Sequence, residues 1–275
     1  EAQANMGTLP RLTPEQHDDP NFVAMPRYWV PEFDVPTNKR DKKGNIIYDL
    51  GVQSRLAERG WTRSWLIGWR DVTNSTNTRT LIGSFLPRLG VGHKFPLILA
   101  TENSLTLYAI LSSFVLDYVA RQKIAGTSMT YGYMMQLPAP TPDQPLPFKA
   151  PEGASLYSWV TPRVIELVYT SHDMAPFASE HGFNGPPFRW NEERRALIRA
   201  ELDACLFHVY GITRPDVDHI LDTFPTIKRK DEATHSTYRT KELIMHYYHR
   251  MAENIEDGTE YRSDLDPVPG QGSRH

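Results

Sequence analysis

Cysteine is nearly missing from this 275-residue sequence. Cys205 stands alone, which excludes an internal disulfide framework and a cysteine-rich zinc site. Its place in a helical pattern suits a small buried hydrophobe. Also missing is any run of about eighteen apolar residues, so no segment reads as membrane-spanning, and no charged, then apolar, then small opening reads as a signal peptide. A cytoplasmic protein with no membrane partner is the expectation. Excess charge is absent as well: 30 Lys and Arg face 33 Asp and Glu, a net charge of -3. That balance argues against coating nucleic acid by bulk electrostatics and leaves room for a local basic face. No glycine-rich phosphate loop is present, since Gly90-Val91-Gly92-His93-Lys94 lacks the spacing. No glycine-flanked serine follows a strand, and Cys205 lies mid-helix, so nucleophilic catalysis has no candidate.

What is present suffices for a real core. At 40% hydrophobic side chains the chain can form one large or two modest domains. It opens on Glu1 rather than methionine and reads as a processed protein or a fragment of something larger. Residues 1–20 read as a polar linker or tail, and 22–35 as extended chain forced by prolines. A charged loop at 39–45 follows, then a short strand at 46–48 and a helix at 50–59 closed by Gly60. Strands dominate to about 101. One long, largely buried helix is expected from Asn103 to Arg121-Gln122-Lys123, where cations suit the negative end of the helix dipole. Residues 129–137 read as a strand or short helix. The prolines of 138–155 read as a stiff spacer. Helices are expected at 158–171, 192–210 (closed by Gly211), 213–224 and 240–256, with 175–188 irregular and 257–275 a disordered tail. The fold class is therefore α+β: a mixed α/β subdomain over 21–137, then a mainly helical subdomain over 156–256.

The segment from Trp65 to Thr80 carries the most chemistry. Trp65-Leu66-Ile67-Gly68-Trp69 reads as a half-buried strand, and the apolar pattern resumes at 81–87. The Asn/Ser/Thr cluster between them falls at an exposed turn. Arg70 and Arg79 offer forked donors, and Asn74 and Asn77 can donate and accept together, as reading base edges requires. The plainer reading is that Asn74 and Asn77 only make side-chain turns and Arg70 only pairs with Asp71. Basic residues cluster elsewhere: Arg121 and Lys123 before the Gly126-Thr127-Ser128 turn, Lys228-Arg229-Lys230 after a helix, and Arg239 and Lys241 at a helix start. With Thr127 these are candidate phosphate contacts, although each cluster taken alone is more often a solvated face. His246 and His249 have ligand-like spacing but no third ligand, so no metal is expected. Asp34 and Asp41-Lys42-Lys43 are the nearest approach to a nuclease's acids, and they lack the strand context.

Taken together, several segments resemble a known family. They are Arg27-Tyr28-Trp29-Val30, the run from Trp69 to Thr80, Leu111 to Thr127, Gln136-Leu137-Pro138, Glu201-Leu202-Asp203-Ala204, Tyr210-Gly211, Ile220 to Pro225 and Tyr238-Arg239-Thr240. Across about 20–252 the chain resembles the C-terminal half of large bacterial adenine-specific DNA methyltransferases, of the type IIG restriction-modification, BREX and DISARM kinds. The resemblance implies a target recognition domain that grips duplex DNA. A separate N-terminal methyltransferase domain of the parent chain would hold S-adenosylmethionine and methylate a flipped adenine. The Asn-Pro-Pro-Tyr-type catalytic motif and the glycine-bearing cofactor motif are absent here, so this segment is expected to bind DNA, hold no cofactor and perform no methylation. An interaction scaffold within a defence complex is the alternative, and a nuclease the third reading.

Overall fold

A computed structural model describes residues 12–23, 29–100, 102–141 and 144–275. Arg27 and Tyr28, part of the resemblance, and Pro142 of the spacer lie outside them. The described residues form two small antiparallel sheets and eleven α-helices, an α+β fold. A first helix, α1 (Pro14–Asp18), is closed at its start by a Thr13–Gln16 capping box. It lies within the segment read as a linker, yet His17 stacks on Trp190 at 4.0 Å and the Pro20 carbonyl accepts from His172 N–H.

Strands β1 (Val35–Arg40) and β2 (Ile46–Asp49) make an exposed hairpin, with Asp41 accepting the turn's Lys43 and Asn45 amides. Helix α2 (Val52–Ala57) follows, and Gly60 takes φ +76° after it. The second sheet has the order β4-β3-β5, from β3 (Trp65–Trp69), β4 (Gly83–Pro87) and β5 (Leu97–Ile98). Strand β3 was expected to be half-buried. All five of its residues are buried, because it is the central strand with helices and loops over both faces. Gly68 is required there: a Cβ would lie 2.2 Å from the Pro96 carbonyl oxygen.

The long helix expected from Asn103 is two helices, α3 (Ser104–Leu111) and α4 (Phe114–Lys123). Ser113 takes an extended conformation and caps α4 through its hydroxyl, while the Phe114 amide donates to Asp203 Oδ1 at 2.7 Å. The apolar pattern runs unbroken through the joint because both helices are buried. Helix α5 (Tyr131–Met134) is short. In the second half come α6 (Leu156–Val168), α7 (Ala175–Glu180), α8 (Glu192–Val209), α9 (Arg214–Asp222), α10 (Pro225–His235) and α11 (Arg239–Asp257). Helices α8 and α11 pack side by side, as do α3 and α6. Neither α7, within a segment read as irregular, nor α10 was expected.

The core is continuous across the proline-rich segment: Phe148 is buried against Trp159 and Tyr261, within the same apolar cluster that holds Trp61, Trp65 and Trp69. The segment 257–275, read as a disordered tail, is packed. Tyr261 is fully buried and donates to Glu201 Oε1 at 2.9 Å, Leu265 is buried, and Gly270 N–H donates to Glu166 Oε2 at 2.8 Å. Its anchors are hydrogen bonds to the buried carboxylates of Glu201 and Glu166 and to backbone carbonyls such as that of Lys149, which hydropathy does not register. No helix among the described residues is long and apolar enough to cross a membrane.

Candidate nucleic-acid interface

The polar segment between β3 and β4 folds as a braced loop. Arg70 N–H extends the strand ladder to the Ile82 carbonyl, and Asp71 N–H reaches the Lys94 carbonyl. Thr73 N–H bonds the Thr127 carbonyl, while Thr73 Oγ1 donates to the Thr80 carbonyl at 2.7 Å. Asn74 Oδ1 accepts both the amide and hydroxyl of Thr76, at 3.0 and 2.8 Å, which is the side-chain turn of the plainer reading. Asn77 Nδ2 reaches only Thr73 Oγ1, at 3.4 Å. Ser75 and Thr76 are left exposed at the tip.

Beneath the loop sits Asp117, on α4 and 0% exposed. Both its oxygens accept the Thr80 amide at 3.1 Å, Oδ2 accepts Arg79 Nε at 2.6 Å and Oδ1 accepts Arg121 Nε at 3.0 Å. A second nitrogen of each guanidinium is committed too. Arg79 Nη2 donates to the Ser112 carbonyl at 2.5 Å, and Arg121 Nη2 to the carbonyls of Asn77 and Thr78 at 2.7 and 3.0 Å. Arg79 lies over the Phe114 ring and Arg121 over the Phe224 ring, at 4.3 and 4.0 Å. Arg79, expected to read bases, and Arg121, expected to hold phosphate, therefore brace the loop from within. Asp117 went unnoticed as a functional residue. Its i,i+4 spacing to Arg121 was visible in sequence but looks like any surface pair.

Helix α10 closes the other side. Thr226 Oγ1 approaches the Thr76 carbonyl at 3.5 Å, and Lys230 Nζ donates to Thr78 Oγ1 at 3.0 Å. The structure thus brings three sequence-distant groups together: the loop 74–79, Arg121 at the end of α4, and Thr226 and Lys230 on one face of α10. Lys228 and Arg229 are exposed and have no side-chain partner among the described residues, as do Arg70 and, beyond the end of the Asp117 network, Lys123. Arg70 does not pair with Asp71, whose Oδ2 instead accepts Lys94 Nζ at 2.9 Å. Thr127 is exposed and contributes its carbonyl to the loop.

Arg239 and Lys241 stand apart from this group in their bonding. Arg239 pairs with Glu193, and Lys241 Nζ lies 2.9 Å from both Asp218 and Asp222. Burial opposes the Lys241 charge, but hydrogen bonds to those two carboxylates outweigh it and raise its pKa above the ordinary lysine value. Among the histidines, His246 Nε2 meets Asp264 at 3.3 Å and His249 Nε2 accepts from Arg214 Nε at 3.0 Å. Asp34, from the nuclease reading, accepts the Gly51 amide, which lowers its pKa.

No protein-family model, curated protein or solved structure matches this chain.

Proposed function

We propose that the chain recognises duplex DNA, as the target recognition part of an adenine-specific DNA methyltransferase of the restriction-modification or phage-defence kind. The observation that carries the reading is the convergence of the braced loop 74–79 with Lys230 on α10, the helix that also carries Lys228 and Arg229, exposed and without a side-chain partner among the described residues. A rigid polar tip flanked by free cations is what groove reading with phosphate anchoring requires. In this arrangement Arg70, Ser75, Thr76 and the free edges of Asn74 and Asn77 face bases, while Lys123, Lys228 and Arg229 hold phosphates. Arg79 and Arg121 set the shape of the loop. The parent's N-terminal domain would supply S-adenosylmethionine and the chemistry; no residue of this chain is assigned to the cofactor.

A protein-interaction scaffold is the second reading. It is favoured by the net charge of -3 and by the internal pairing of Arg79, Arg121, Arg239 and Lys241. Fluorescence anisotropy with a labelled random-sequence duplex, at low and moderate salt, separates the two. Weak binding that falls steeply with salt, through counterion release, supports DNA recognition. No binding at either salt level supports the scaffold.

A further inference from the structure

Beside the braced loop, between α3–α4, α8, α10 and α11, lies a cleft of about 820 Å³, within the range of small-molecule sites. Its walls are mainly apolar, with Phe114, Leu206 and Ile244 among them. Into this lining α8 places Asp203, only 6% exposed. One carboxylate oxygen accepts the Phe114 amide, and the other has no hydrogen-bond partner among the described residues. One turn earlier on the same helix, Arg199 also lines the cleft, exposed and without a hydrogen bond or ion pair among the described residues, its charge acting on Asp203 from a distance. Lys230 lines it too, with only the Thr78 hydroxyl as partner.

Burying this carboxylate with one oxygen unbonded is costly even against the pull of Arg79 and Arg199, and a ligand N–H would relieve that cost. The lining also holds Glu193, paired with Arg239, Asp231, which accepts the Thr240 amide, and Glu192, which accepts from Trp190; Arg199 and Lys230 are the lining cations with no ion-pair partner among the described residues, so a neutral N–H donor joined to an anionic group satisfies both ends. We infer that this cleft binds a nucleotide whose base carries an exocyclic amine. The amine donates to Asp203, as cytosine or adenine amines do to carboxylates, the base lies on the apolar wall, and the phosphate meets Arg199 and Lys230. The inference stands on the cleft's own chemistry and holds whether or not the neighbouring loop face binds duplex DNA.

Calorimetric titration of the full chain with free CMP, AMP and UMP tests it. CMP or AMP should bind at least tenfold more tightly than UMP, which lacks the amine. Asp203→Asn should remove that preference, and Ala196→Trp, at a half-buried position on the cleft wall, should abolish binding while leaving the circular dichroism spectrum unchanged. A duplex with one unpaired 3′ cytidine, titrated in parallel, tells a strand end from a free nucleotide as the source, and amine-dependent binding of either one supports the site. Equal affinity for CMP and UMP, binding that survives Ala196→Trp, or no binding of any probe at millimolar concentration overturns the inference. Random-duplex affinity unchanged in Ala196→Trp keeps this result separate from the loop face.

Discussion

Asp117 organises the candidate interface although it is nowhere exposed. Removing one member of a buried ionic group strands the others, typically at about 3 to 5 kcal/mol. Asp117→Ala leaves two guanidiniums and the Thr80 amide without their acceptor, so it should cost about that much in urea unfolding. Arg79→Ala should cost less, because Arg121 and Thr80 still satisfy Asp117. A cost below about 1 kcal/mol for Asp117→Ala would mean the loop is held by something else. A second buried carboxylate makes stability depend on pH. Burial pushes Asp203 up to about 6 from an ordinary 3.8, against the pull of Arg79 and the Phe114 amide. Because the folded-state pKa is raised, its favourable contribution is complete below the unfolded value near 3.8 and is lost as pH rises through about 6. Unfolding free energy should thus fall by about 1 to 3 kcal/mol from this group between pH 4 and 7, and Asp203→Asn should flatten that part of the profile. Parallel profiles for the two proteins would refute the assignment. At this scale the sequence displayed donors but not their acceptors. Asn74 was legible as a turn former or a reader, whereas nothing local to Arg79 reveals that its fork closes on an aspartate 38 positions along the chain.

Element by element, periodicity located most helices, and each error has its own physical cause. The α3–α4 break at Ser112-Ser113 was hidden because burial on both sides keeps the apolar run continuous. Helix α10 was hidden for the opposite reason: only Ile227 is buried, and Lys228 to Glu232 gives no apolar stripe, although Pro225 at its first turn is a helix-start signal. The final segment was misread because its low hydropathy concealed its polar anchors. Tyr261 sits on the Arg163–Glu201 pair, where Arg163 Nε and Nη2 meet Glu201 at 2.8 and 3.0 Å, and Arg194 pairs with Glu166 beside Gly270. Deleting 259–275 should therefore cost at least what a buried Tyr-to-Ala change does, about 3 to 5 kcal/mol, and lower the midpoint of thermal unfolding by circular dichroism. A truncated chain that melts with the intact one would show the tail to be merely adjacent.

For the whole molecule, the central claim is that a specific face holds DNA and bulk charge does not. The sequence could name basic clusters but could not say which converge. Folding separates them, committing Arg79 and Arg121 to the buried Asp117 and Arg239 and Lys241 to surface carboxylates, and leaving Lys228 and Arg229 exposed on the helix that reaches the loop through Lys230. The hairpin turn offers a control, since Lys42 and Lys43 are equally exposed and have no side-chain partner among the described residues. The decisive measurement is duplex affinity against salt concentration for Lys228→Glu/Arg229→Glu and for Lys42→Glu/Lys43→Glu, which change the net charge identically. The account predicts that the α10 pair loses most of the affinity and flattens the salt slope, since each lost phosphate contact removes about 0.9 from that slope, while the hairpin pair binds like the unaltered chain. Equal losses in both variants, or none in either, would contradict it.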